Sequence, residues 1–241
     1  MCGRVYIKTS LEELLRAFSF AGPGDVAGLA NGFPRYNGAP QQDYPIIIRD
    51  VVREPDVMGP VFVSARWGLM SRLSKDKAGR PPVNARAETL ASNGLFKAAY
   101  RSRRCLVPIN GFFEWKDIYS TGKNKQPYAV AMKSGAPFAL AGVWDSWRDE
   151  HGVDHRTFAV ITCDANEMMA EIHDRMPVIL HREDYERWLS PEPDPHDLMV
   201  PFTSELMTMW PIGPAVGSPK NDRPDILDEI DPDQDPEPTL L

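Results

Sequence analysis

Directly behind the initiator methionine stands a cysteine, Cys2 of MCGRVYIK, and a chain that starts on that residue carries two neighbouring nucleophiles. The small side chain permits an aminopeptidase to remove Met1, which leaves a free α-amine beside a thiol. An amine condenses with an aldehyde to an imine, and the thiol can then attack the same carbon to close a five-membered thiazolidine ring. An α-amine titrates near roughly 8 and a cysteine thiol near roughly 8.5, so both nucleophiles are expected in useful fractions at neutral pH. Position alone leaves a second reading open, in which Cys2 is incidental.

Six stretches are richer in reactive or recognition groups than a core requires: CGR at 2–4, RYN at 35–37, RWGL at 66–69, NARAET at 84–89, GFFEW at 111–115 and HDRMP at 173–177. Glu114 sits between aromatic neighbours that could desolvate its carboxyl and make it a proton shuttle, although a strand glutamate can also simply face water. His173 follows a predicted helix and could serve as a second acid or base, or be a surface cap. Asn84 offers an amide donor and acceptor for the Cys2 amine or a sugar hydroxyl; its other reading is a turn or helix cap. For phosphate, the guanidinium groups of Arg4, Arg86 and Arg175 can each hold two oxygens. Internal ion pairs, Arg86 with Glu88 or Arg175 with Asp174, compete with that reading. Trp67 and Trp115 suit base stacking and equally suit a core.

In this order, the six segments resemble the SOS response-associated peptidase (SRAP) family, whose members crosslink themselves to abasic sites in single-stranded DNA through the second residue. The similarity runs from Cys2 to about Lys220. It implies Cys2 as nucleophile, with Asn84, Glu114 and His173 completing the catalytic set, and it adds Thr162, in VITC, near the site. An abasic deoxyribose opens to an aldehyde at C1′, the electrophile that an amine and thiol together require. The partner implied is single-stranded DNA or a single-to-double junction, read with little base preference because phosphate contacts and stacking carry little base information. No metal or organic cofactor is called for. Two other readings stay open: an N-terminal-nucleophile peptidase that removes Met1, and a module that binds single strands without covalent chemistry.

These groups need a scaffold, and 241 residues with 42% hydrophobic content can supply a sizeable core. Three cysteines without CxxC spacing point to neither a disulfide framework nor a zinc site. Without a membrane-length apolar run or a secretion signal, a cytoplasmic monomer, associated with the nucleoid when on DNA, is expected. The net charge of -7 resides wholly in residues 221–241, where eight acids face one arginine. Residues 66–104 instead carry ten Lys or Arg against two acids, and such a concentration can attract phosphates. Ser10 and Glu13 form a capping box for a helix over SLEELLRAF, and Asp164 with Glu167 is expected to cap ANEMMAEI. RCLVPI, GFFEW, QPYAVAM, APFALAGVW and TFAVITC read as successive short strands. The expectation is one α+β domain over 1–220, a mainly antiparallel sheet or barrel-like core with interspersed helices. The Pro- and Asp-rich 221–241 is expected to be a disordered acidic tail.

Overall fold

The computed structural model describes residues 2–49, 59–72, 80–118, 125–149 and 151–232. Among these, thirteen strands run in chain order. They are β1 (Val5–Ile7), β2 (Gly22–Asp25), β3 (Arg35–Gly38), β4 (Asp43–Ile48), β5 (Val61–Trp67), β6 (Asn84–Arg86), β7 (Arg104–Ile109), β8 (Gly111–Asp117), β9 (Lys125–Met132), β10 (Phe138–Arg148), β11 (Asp154–Asp164), β12 (Arg175–Pro177) and β13 (Met207–Pro211). Five short helices lie between them: α1 (Leu11–Ala17), α2 (Ala87–Leu90), α3 (Lys97–Ser102), α4 (Glu167–Ala170) and α5 (Tyr185–Leu189).

The expected α+β fold is realised as a five-stranded barrel. Strands β11, β10, β7, β4 and β5 are successive antiparallel neighbours, and a parallel pairing of β5 with β11 (Thr157↔Arg66, Phe158↔Trp67) closes the ring. Closure removes the open edges that a sheet of this length would otherwise expose. A second sheet, ordered β13-β9-β8-β1-β3, carries the N-terminal strand in its body. At Gly111, which begins β8, a Cβ would lie 2.4 Å from the Tyr6 ring and 2.4 Å from the Val130 carbonyl, so only glycine lets β8 approach β1 this closely.

Local signals account for several elements. The Ser10–Glu13 capping box forms as expected, with the Ser10 hydroxyl accepting from the Glu13 amide and the Glu13 carboxylate accepting from the Ser10 amide. The expected Asp164 cap does not: Asn166 caps α4, its side chain accepting from the Met169 amide, because Asp164 belongs to β11. SNGLFKAAYRS, read as a helix capped by Ser92 or Asn93, becomes helical only at Lys97, and the Asn93 side chain accepts from the Leu95 amide in the preceding turn. Val51 and Val52, read as the end of a strand, lie outside the described residues.

The C-terminal boundary also differs from expectation. Residues 221–232 pack against the second sheet: the Asp222 carboxylate accepts from the amides of Tyr36 (2.5 Å) and Asn37 (2.9 Å). Ile226 is buried, Glu229 bridges to Ile212, and the Trp210 indole donates to the Leu227 carbonyl. The buried Ile226, the partly buried Leu227 and a few directed hydrogen bonds outweigh the acidic composition here. Residues 233–241 lie outside the description.

Candidate active site

Cys2 is carried just ahead of β1, and β1 lies between β3 and β8. The register Val5↔Phe112, continued by the hydrogen bond from the Phe113 amide to the Arg4 carbonyl (2.9 Å), brings Glu114 across from Gly3, next to Cys2. From the barrel, β6 pairs in parallel with β11 (Val160↔Asn84, Thr162↔Arg86), and the Asn84 side-chain amide donates to the Cys2 carbonyl at 2.8 Å. Three residues 30 or more positions apart thus meet. The Asn84 Oδ1 atom is buried and has no hydrogen-bond partner among the described residues, so an acceptor stands open beside the cysteine.

The site is dry. Cys2 has 0% exposure and Glu114 4%. Burial first, then the negative charge of Glu114, pushes the Cys2 thiol up to about 12. This corrects the expectation of an appreciable thiolate fraction at neutral pH, which assumed a solvated cysteine. In this surrounding the thiolate is disfavoured, and the Glu114 carboxylate lies close enough for its charge to act on the thiol.

His173 occupies the turn between α4 and β12, and its Nδ1 accepts from the Arg175 amide at 2.9 Å. That contact places the proton of a neutral imidazole on Nε2. The same Nδ1 lies 2.9 Å from the Asp174 carboxylate. β12 pairs with β11 at Thr162↔Pro177, directly opposite the Thr162↔Arg86 pairing, so β11 spans the interval between β12, which follows the histidine's turn, and the strand of Asn84.

The binding residues fare unevenly. Arg86 is exposed at the end of β6; its side chain makes no hydrogen bond or salt bridge among the described residues, although its charge acts on Glu88, the partner expected for it. Arg4 is half-buried: its Nη1 donates to Asn37 Oδ1 (2.6 Å) and the Val216 carbonyl (2.7 Å), and its guanidinium lies 5.9 Å from the Trp115 ring. Trp115 itself is half-buried. Arg175 is already engaged, bound through two bonds to Glu88 (2.6 and 2.9 Å), to Asp164 (2.6 Å) and to the Thr162 carbonyl (2.8 Å). The alternative of an internal ion pair therefore holds for Arg175, with Glu88 and Asp164 in place of the expected Asp174. Thr162 has 0% exposure and donates weakly to the Ala85 carbonyl (3.5 Å), which ties β11 to β6.

Trp67 is a correction. It is 1% exposed, stacks on Phe158 at 6.1 Å with Tyr44 edge-on, and donates its indole N–H to the Val83 carbonyl; no base can reach it. The basic excess of 66–104 also divides. Arg104 is buried against the carbonyls of Tyr100, Trp188, Ser190 and Glu192, Arg103 faces Asp145, and Arg66 faces Asp43. Arg72, Arg80, Arg86, Lys97 and Arg101 remain exposed, while Lys75 and Lys77 lie outside the described residues.

Sequence reasoning gave no role to Asn37 although RYN was singled out, and it passed over Asp222. Buried at 1% exposure, Asn37 ties β1, β3 and the C-terminal segment together. Only the motif itself hinted at the first, and nothing hinted at the second.

The structure thus joins a barrel to a sheet and holds the buried Cys2 against Asn84 and Glu114 where the two meet. A model of the family SOS response associated peptidase (SRAP) matches residues 1–219, and the chain belongs to that family. It is 35% identical over 236 residues to the abasic site processing protein YoaM of Bacillus subtilis, covering 95% of this chain and 98% of that one. The abasic site processing protein HMCES of Xenopus tropicalis is 29% identical over 268 residues, covering 95% and 78%. A crystal structure from Bacteroides thetaiotaomicron superposes with a TM-score of 0.82 at 27% identity, covering 95% of this chain and 100% of that one. None of the helices in the described residues is long and apolar enough to cross a membrane.

Proposed function

We propose that, once Met1 is removed, the chain caps abasic sites in single-stranded DNA by a thiazolidine linkage through Cys2. The observation that supports this reading is the meeting of Cys2, Asn84 and Glu114 in one buried site. The α-amine attacks C1′ of the opened sugar, and loss of one water leaves an imine. The thiol sulfur then bonds to the same carbon while its proton passes by way of Glu114 to the nitrogen, so the overall reaction releases one water. Asn84 holds the Cys2 carbonyl, and its open Oδ1 accepts from the amine or from the freed sugar hydroxyl. His173, with its proton on Nε2, donates to the ring oxygen as the sugar opens. Arg86 and Arg4 grip flanking phosphates, and Trp115 stacks against a base. The protein acts as a monomer in the cytoplasm, associated with the nucleoid when bound.

The experiment is incubation of the purified protein with an oligonucleotide carrying one abasic site. A heat-stable, mass-shifted adduct is expected with the wild type, none with Cys2→Ala, and none on an intact strand. An adduct that persists in Cys2→Ala sinks the mechanism.

A second reading rests on the same burial. A thiol with Glu114 as its base is also equipped to cleave the Met1–Cys2 bond, consuming one water and releasing methionine. Mass spectrometry should then show Met1 retained in Glu114→Ala and removed in the wild type when both are made without a methionine aminopeptidase.

A further inference from the structure

Arg4 is an unusual phosphate ligand because half of its guanidinium is already spent inside the protein. Its Nη1 is taken by Asn37 Oδ1 at 2.6 Å and the Val216 carbonyl at 2.7 Å, whereas Nη2, on the exposed side, has one long contact to the Gly217 carbonyl at 3.4 Å. What fixes Nη1 fixes the direction of Nη2.

The fixing group is itself over-determined. Asn37 Nδ2 donates toward three carbonyls, Val216 (3.1 Å), Ser218 (3.0 Å) and Asn221 (2.8 Å), all on the C-terminal segment. The amide therefore has one orientation, nitrogen toward the three carbonyls and oxygen toward Arg4. Asp222 locks the backbone from the other side by accepting from the Asn37 amide at 2.9 Å. A buried side chain with each of its polar atoms engaged is a rigid mount.

We propose that Asn37, clamped by residues 216–222, is a positioning residue that aims Arg4 at a DNA phosphate beside the lesion. This rests on the DNA-binding part of the proposed function and not on its covalent step. Asn37 touches no DNA; it acts through Arg4, and the C-terminal segment enters DNA recognition through the same mount. An arginine free to swing would lose rotamer entropy on gripping a phosphate, and the mount removes most of that loss beforehand.

The test is non-covalent binding of the full-length protein to an undamaged, fluorescently labelled single strand across a sodium chloride series. Arg4→Ala should lower the slope of log K against log salt by roughly 0.7, the loss of one phosphate contact. Asn37→Ala should reproduce most of that change although Arg4 is still present, and the double variant should bind no more weakly than Arg4→Ala alone. A wild-type slope in either single variant, or losses that add in the double variant, overturns the inference. If Asn37→Ala shows no cooperative thermal transition, Asp222→Ala replaces it, with the same slope change expected and an unchanged slope overturning the inference. Because the strand carries no aldehyde, absence of a covalent adduct at abasic sites would refute the crosslink and leave this comparison intact. Failure of the wild type to bind the undamaged strand overturns the inference while adduct formation can still stand.

Discussion

Asn84 donates its side-chain amide to the carbonyl of Cys2 at 2.8 Å, joining a strand of the barrel edge to the first residues of the chain. With the partnerless Oδ1 of the same side chain, this makes Asn84 both an anchor and an acceptor.

Replacing Asn84 with Asp removes the donor and sets a carboxylate against a carbonyl, so the Cys2 segment shifts. Misplacement of a reacting group by about 1 Å can cost on the order of 100-fold in rate. Single-turnover adduct formation at saturating abasic DNA should slow to that degree, with affinity for intact strands changed far less. An equal loss in both would mean that Asn84 serves binding.

The raised thiols predict a loss of stability in alkali. Cys2 and Cys163 are each pushed up to about 12 from 9.0, mainly by burial. A thiol whose folded value exceeds its unfolded value contributes stability that is fully present below pH 9 and is lost as pH rises toward 12. Between those limits the unfolded chain releases its protons first, at about 1.4 kcal/mol per pH unit per thiol. Denaturant titrations at pH 8 and pH 10 should show a smaller decline for Cys2→Ala than for the wild type, and identical declines would contradict the burial argument.

The two tryptophans should separate cleanly. Trp67→Ala opens the barrel interior and should cost about 3 to 5 kcal/mol of stability, with any loss of DNA binding following the unfolded fraction. Trp115→Ala should leave most of the stability intact and remove about 1 to 3 kcal/mol of single-strand affinity. Chemical denaturation and fluorescence anisotropy on the same preparations distinguish the two; a stable Trp67→Ala that binds DNA poorly would reverse the assignment.

Truncation should depend on where the chain is cut. Ending at residue 232 removes three of the eight acids of 221–241 and keeps every described contact, so the fold should survive and low-salt DNA affinity should rise. Ending at 220 removes Asp222, Ile226 and Leu227, which bind the Tyr36 and Asn37 amides, fill the core and cap the Trp210 indole. That shorter form should unfold at a lower temperature. Equal melting temperatures for the two would show the packed segment to be energetically idle.

What could be read from the sequence divides along physical lines. The Ser10 capping box and the runs RCLVPI and TFAVITC were legible because their signals are local, set by neighbours a few residues away. Strands β2, β3 and β13 were not, since Gly and Pro in β2 and the polar RYN of β3 are made strand by partners far along the chain. Motif singled out Cys2, Asn84 and Glu114, which the fold brings together, but not the state of the thiol: nothing in MCGRVYIK tells that Cys2 is sealed against Glu114. Trp67 and Trp115 occupy similar sequence settings, and only the closure of β5 on β11 sends the first inward. Likewise Arg175 and Arg86 were equivalent by motif until the folded chain set Glu88 and Asp164 against one of them.

The contacts of Arg4 with Val216 and Gly217 span 212 and 213 residues, and that of Asn37 with Asn221 spans 184. During synthesis the first residues leave the ribosome long before these partners exist. The mount of Arg4 is thus complete only after Asn221 has been added, whereas the partners of Cys2, Asn84 and Glu114, are made in the first half of the chain. The order of manufacture therefore supplies the walls of the cysteine's pocket well before the last strut of the neighbouring arginine.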